Sequence, residues 1–543
     1  MSTNSQHTGE RPRNIGLLFD WYSGAERPVF HLDRPFDIAP QGGIRYTVTG
    51  LAELVDQTSA ALHAAGLRSK GRLAIIKDNH YDTVLVAAAA ARIGALPAMI
   101  SPTNSPEILH TLLDRLDPQL IFVSPSVLAA VAATGRKLTS RGCPVITTGQ
   151  DDVPSGVIRL ADLRGGEIPP AAPCRDDEPM ICTHTSGTTG VPKLVVHSPD
   201  TMLGELAKLE TRRIPFLSVR PGDVVATCIS FVHGRAITWS SAQLGLPPSE
   251  VVIVSDPDPA TAMPLLESHR PTVMEASPNV FQFWEPSLAE HAPAFERVRA
   301  YLNTFDAIHP RTVGKFLAAS QRRLPVWGQV WGQSEVGPVC IGLYTRGRLR
   351  RSLRRETPLT SNVGRPFPLL TRVRVVDPQT GKRVKRGEEG LILVKTSGRC
   401  LSYVGEEDRH MEKRWDDGWW NSGDMGARER LGALRLVDRE VDIIPGISSI
   451  ALESLLLERI EDASEVIVLG VPGRNPVPVL SLTRGGMDPG RWRRIAAGLP
   501  EMEDPVVIDW EDFPRTGTWK VRRLELRQQL FNTKQTYGTG RWT

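Results

Sequence analysis

Thr183-His-Thr-Ser-Gly-Thr-Thr-Gly-Val-Pro-Lys193 follows the short apolar stretch Met180–Cys182 and decides how the rest of the chain is read. Glycines let backbone N–H groups turn toward an anion, hydroxyls add donors, and the closing lysine supplies a point charge. Such a loop, set between a strand and the next element, is suited to a polyphosphate. It is not a Walker loop, because G-x-x-x-x-G-K-[ST] is absent.

Working outward, helix and strand patterns alternate on the N-terminal side. Leu51–Gly66 has helical spacing, Arg72–Ile76 reads as a strand, Tyr81–Gly94 as an Ala-rich helix, and Ala95–Ile100 as a strand. Ser105–Leu116 reads as helix and Leu120–Val123 as strand. This alternation predicts parallel βαβ units. After Val363 short strands such as Thr371–Val376 and Gly390–Val394 alternate with turns, predicting a β-rich subdomain. Past Asp438 a new small α/β pattern begins. The fold class is therefore α/β: a large N-terminal domain, residues 1–438, and a small C-terminal domain, residues 439–543. The polar, Pro-rich residues 1–40 are expected to wrap the surface, and the basic tract Arg346–Arg355 to be a solvated loop.

Bulk properties narrow the function classes. The 543 residues suggest about two to four structural units. A net charge of +4, from 65 basic and 61 acidic residues, gives no case for nucleic acid or a membrane surface. Six cysteines without zinc-like spacing read as reduced thiols. No secretory h-region and no membrane span are seen, so a cytoplasmic location is expected.

The Thr183–Lys193 segment resembles the signature loop of the adenylate-forming superfamily, which includes acyl-CoA synthetases, peptide-synthetase adenylation domains and firefly-type luciferases. Four further stretches resemble that family's motifs in its order: Trp331-Gly-Gln-Ser-Glu335, Trp420-Asn-Ser-Gly-Asp424, Asp438-Arg439 and Pro514-Arg-Thr-Gly-Thr-Trp-Lys520. The resemblance implies activation of a small acid by ATP as an acyl-AMP. The nucleotide would be bound by Thr185, Ser186, Gly187, Thr188, Thr189, Gly190, Lys193, Trp331, Gly332, Gln333, Ser334, Asp424 and Arg439. Trp331 is expected to stack on adenine, Glu335 to hold Mg²⁺, and Asp424 and Arg439 to hold the ribose. Lys520, on a mobile small domain, would stabilise the adenylation transition state, with Thr185, Glu335 and His233 completing the catalytic set. His233, Arg235, Phe305, Asp306 and Ala307 would form the acid pocket.

Departures from the pattern bear on the second half-reaction. Phe305 and Asp306 replace small residues, narrowing the pocket and adding a charge. Phe231-Val-His-Gly-Arg235 resembles the segment of acyl- and aryl-CoA ligases and lacks the Asp that binds an α-amine, while Arg235 is expected to neutralise a second carboxylate. The hinge has Val441 where Asp or Lys is usual, a short loop leads to Gly446, and Trp519 stands where Gly is usual. The leading expectation is transfer of the acyl group to CoA or a carrier-protein pantetheine. The alternative is adenylation of nitrite with transfer to an aromatic amine, and a remote third is a nucleotide-binding pseudoenzyme.

Overall fold

The computed structural model describes residues 12–150, 153–185, 191–352, 358–439 and 442–537, with the side chains of 351 and 352 left aside. The chain folds as a large N-terminal and a small C-terminal α/β unit. In the first sheet, Val29–Leu32, Glu250–Ile253, Val224–Cys228, Val273–Ala276, Ala300–Asn303 and Val326–Gln333 run parallel side by side. The direction then reverses at Gly337–Tyr344, and antiparallel strands carry the sheet through Leu434–Arg439, Trp419–Arg428 and Glu389–Thr396 to Thr371–Val376. A second sheet is built on Arg72–Ile76, flanked by Leu96–Met99 and Leu120–Val123. On its other side Ile181–His184 and Leu194–His197 pair antiparallel, flanking the glycine-rich stretch in sequence, and Ser402–Tyr403 forms the edge.

Local sequence explains these elements. The helix Pro106–Leu116 starts where Ser105 accepts the Ile108 N–H and Pro106 fills the first turn. It buries Leu109, Leu112, Leu113 and Leu116, the i, i+3, i+4, i+7 face, and stops at Asp117 in the left-handed region. The helix Asp82–Arg92 is buried on every side through Ala91, because its alanines admit neighbours closely. Gly16 lies so near that a Cβ there would sit 2.3 Å from the Arg92 nitrogen.

The N-terminal expectation needs correction. Within the described residues, Ile15, Leu18 and Phe19 are core, and Val29–Leu32 is a strand of the main sheet. An apolar spine among the polar residues buries this segment. The basic tract is also not a plain loop: it forms the helix Arg346–Ser352, where Arg346 donates to the carbonyls of Leu317 and Arg322. Its remainder, 353–355, lies outside the described residues.

The small unit carries the helix Ser449–Arg459 and a sheet of Ala463–Leu469, Val477–Leu482 and Val506–Val507. It is clamped to the large unit. Arg311 donates to the carbonyls of Leu457, Ile460 and Ala463 at 2.6, 3.0 and 2.9 Å, and Asn279 donates to Glu465 at 3.1 Å. Phe283 of the large unit stacks on Trp510 with ring centres 4.7 Å apart, and Trp510 stacks on Trp519.

Candidate active site

A cavity of about 430 Å³ opens where the glycine-rich hairpin, the end of the parallel sheet and the small unit meet. Thr185 closes the base of the hairpin loop: its N–H reaches the Lys193 carbonyl and its hydroxyl accepts the Lys193 N–H, both at 3.0 Å. Lys193 therefore enters the cavity from a fixed backbone. Ser186, Gly187, Thr188, Thr189 and Gly190 lie outside the described residues, as do Glu440 and Val441 of the hinge.

The Trp331–Glu335 motif ends a strand of the main sheet. A bulge falls between Trp331 and Gly332, and a Cβ at Gly332 would lie 2.1 Å from the Gly337 carbonyl oxygen, so only glycine fits. Gly332, Gln333, Ser334 and Glu335 line the cavity. The Glu335 carboxylate accepts the Tyr403 hydroxyl at 2.7 Å through one oxygen, and as a carboxylate lining the cavity it is the kind of ligand a hard cation takes. Trp331 departs from expectation. Its ring is packed among Val195, Val339 and Trp420, and its indole N–H goes to Asp424 at 3.2 Å. It does not line the cavity, because strand alternation turns it into the core. Here it orients Asp424 instead of offering a stacking face. Gln333 donates to the same carboxylate at 3.1 Å, and Arg439, opposite Asp424 in the strand pair, lies 3.4 Å from its other oxygen.

Charge around the cavity suits a polyanion. Arg115, Lys193, Arg409, Lys413, Arg439 and Lys520 all line it, while its acidic lining among the described residues is Glu210, Glu275 and Glu335. Burial, with Lys193 nearby, pushes the Lys413 ammonium down to about 7. Burial also lowers Lys193, which Glu335 partly offsets. An ATP polyphosphate would relieve this crowding, so the residues present fit that nucleotide. Sequence reading missed Arg409 and Lys413. They sit at i and i+4 on the helix Glu407–Lys413, just before the Trp420–Asp424 motif, and that spacing was the available signal.

Lys520 reaches the cavity from the small unit. A tight turn holds it: Thr516 N–H bonds the Lys520 carbonyl at 2.8 Å, and Gly517 lies against Ser101, where a Cβ would sit 2.2 Å from the hydroxyl. Trp519 takes φ +65°, the glycine region, and its stack on Trp510 holds it there. Burial lowers the Lys520 ammonium, while Asp306 and then Asp424 hold it up.

His233 caps the helix Gly234–Gly245, its Nδ1 accepting the Arg235 N–H at 3.0 Å. The proton is therefore on Nε2, which donates to the Ser334 hydroxyl at 3.2 Å. Burial, and then the neighbouring His184 and Lys520, push this imidazole down to about 3, so it is neutral at physiological pH. Phe305 stands edge-on to it at 4.9 Å, with φ +79°.

Arg235 is not free to receive a substrate carboxylate. Its Nε and Nη2 grip Glu275 at 2.7 Å each, and its Nη1 pairs with Glu210. Two carboxylates thus surround one guanidinium. Asp306 and Ala307 do not line the cavity: Asp306 is exposed and accepts the Ala307 N–H at 2.9 Å, which turns it toward its own loop. Leu217, Val219, Trp239, Leu246 and Ile341 give the rest of the wall an apolar share, interspersed with Arg212, Thr238 and Gln243. The six cysteines form no disulfide, and no described helix is long and apolar enough to cross a membrane.

Comparisons with known proteins identify the family. Residues 25–404 match the family of AMP-binding enzymes. The chain is 38% identical over 547 residues to the 3-amino-2-hydroxy-4-methoxybenzoate diazotase of Streptomyces cremeus, covering 96% of both chains. It is 25% identical over 515 residues to the 3-hydroxybenzoate–CoA ligase of Aromatoleum sp. (strain CIB), covering 90% of this chain and 92% of that one. Its fold matches a benzoate CoA ligase from Burkholderia xenovorans LB400 with TM-score 0.76 at 18% identity, over 95% of this chain and 99% of that one. With its motifs gathered around one cavity, the chain belongs to the AMP-binding enzyme family and is an ATP-using, adenylate-forming enzyme.

Proposed function

We propose that this enzyme adenylates nitrite and transfers the activated nitrogen to an aromatic amine, yielding a diazonium. The observation that carries this reading is the Glu210–Arg235–Glu275 cluster in the apolar part of the cavity. It carries a net negative charge. Ionised carboxylates are acceptors only, so they suit the N–H groups of an arylamine and repel a second carboxylate brought beside them. The similarity to a diazotase along nearly the whole chain supports the same choice.

In this reading Lys193, Arg409, Lys413 and Arg439 bind the ATP phosphates, and Asp424 with Arg439 holds the ribose. Glu335 would hold Mg²⁺, which supplies charge neutralisation at the phosphates. Lys520 stabilises the negative charge that grows as nitrite attacks the α-phosphate. His233, locked as a neutral donor, positions Ser334. The small unit, residues 439–543, turns on Asp438–Arg439 against residues 1–438. Transfer of an aryl acid to CoA is the second reading, favoured by the likeness to the 3-hydroxybenzoate–CoA ligase.

The two separate in one assay with purified enzyme and MgATP. AMP release that requires nitrite, with a diazonium trapped as an azo dye from an added arylamine, is expected. AMP release that requires an aryl carboxylic acid, with thioester formed from CoA and no response to nitrite, would overturn the proposal.

A further inference from the structure

Diazotisation moves protons, and the cavity holds a group placed to move them. When an arylamine attacks the nitrosyl nitrogen of a nitrosyl adenylate, the N–N bond forms. The N–O bond to the phosphate breaks, and AMP leaves with the electron pair. The amine nitrogen then sheds one proton, giving Ar–NH–N=O. Its second proton shifts to the nitroso oxygen, giving Ar–N=N–OH. That hydroxyl leaves as water once protonated, and Ar–N₂⁺ remains. Both hydrogens of the water come from the amine, so one base that takes a proton and returns it closes the balance. No outside oxidant, reductant or acid is needed.

Among the cavity's imidazole and carboxylates, with the lysines assigned to the phosphates, one candidate for that base stands out. His233 has its Nδ1 committed to the Arg235 N–H and its Nε2 already protonated toward Ser334. Glu335 is engaged by Tyr403, and Asp424 by Trp331, Gln333 and Arg439, in the motifs assigned to the nucleotide. Asp306 lies outside the cavity. Glu275 is gripped through both oxygens by Arg235 and is almost wholly buried. Glu210 differs. It lines the cavity from the end of the short helix Ala207–Glu210, with a fifth of its side chain exposed. Arg235 occupies one of its oxygens, and the other has no partner among the described residues. It shares Arg235 with Glu275, so protonating it leaves one guanidinium balanced by one carboxylate.

Resting on the diazotase reading above, we propose that Glu210 is the proton shuttle of the amine step: it accepts the first amine proton and delivers it to the departing oxygen.

The test measures diazonium trapped per AMP released, with the full chain, MgATP, nitrite and aniline. In Glu210→Gln this ratio should fall at least about 10-fold, AMP continuing to appear as the adenylate is hydrolysed. Glu210→Asp should recover part of the ratio, and the pH dependence of the wild-type ratio should disappear in Glu210→Gln. A wild-type ratio in Glu210→Gln would overturn the proposal. So would a parallel loss of AMP and diazonium with Glu210→Asp equally impaired, which would make Glu210 a structural partner of Arg235. Wild-type enzyme giving thioester and no diazonium would overturn the underlying function as well, and the wild-type arm alone reveals that.

Discussion

Replacing Asp438 with Asn should make the junction between the two units insensitive to pH. Asp438 is buried near the end of the strand Leu434–Arg439 and accepts the Ser449 N–H at 3.1 Å, with the Ser449 hydroxyl on its other oxygen. Burial, against the help of those bonds and of Arg523 and with Glu453 adding repulsion, pushes its carboxyl from 3.8 up to about 7. Between pH 3.8 and about 7 the folded protein therefore holds a proton that the unfolded chain has lost. Stability must fall as pH rises across that window, and the loss is complete above it. At 1.36 kcal/mol per pH unit the full cost is about 4 kcal/mol. Asparagine copies the protonated acid in shape and hydrogen bonding. Asp438→Asn should match wild type near pH 4 and exceed it by up to about 4 kcal/mol at pH 8. Amide hydrogen exchange of the helix Ser449–Arg459, measured at both pH values, reports the local opening energy. A variant-to-wild-type difference that stays constant with pH would refute the reasoning, because only a titrating carboxyl makes it change.

Three other outcomes are expected. ATP binding should raise the depressed Lys413 ammonium, so at pH 8 wild type should take up a proton with MgATP, visible by calorimetry in buffers of different ionisation enthalpy, and Lys413→Gln should not. Lys520→Ala should slow adenylation by about 10²-fold with ATP affinity little changed, which pyrophosphate-release kinetics and equilibrium binding together resolve. Arg235→Met strands Glu210 and Glu275 together and should destabilise the large unit by about 3–5 kcal/mol; a chemical denaturation midpoint equal to wild type would contradict the pairing.

The alternation of apolar runs makes the parallel layers legible in the amino-acid sequence. Strands at Arg72–Ile76 and Leu120–Val123 fall where the pattern puts them, and helices and strands on either side shift by only a few residues. Local signals suffice there, because caps, prolines and periodicity all point the same way. Burial of the N-terminal segment is hidden, since it depends on Val29–Leu32 finding a parallel partner more than two hundred residues away. The site divides in the same manner. Lys193, Glu335, Asp424, Arg439 and Lys520 sit in ordered motifs and converge in space. The neutralisation of Arg235 has no sequence signal, because Glu210 and Glu275 belong to separate elements without a motif of their own. The inward turn of Trp331 is equally concealed, because which face of its strand meets the core is set by packing against residues distant in the chain, Val195 and Trp420 among them.

Phe305 occupies backbone that glycine would adopt at no steric cost. Nothing in the main chain would need to move if its ring were deleted, since the strand end already follows glycine's path. The width of the substrate chamber beside His233 is thus set by one side chain, independently of the scaffold that carries it. Over evolutionary time such a position is a simple dial. A lineage could open the chamber to a bulkier arene, or close it again, by a change at a single codon while the nucleotide machinery stayed as it was.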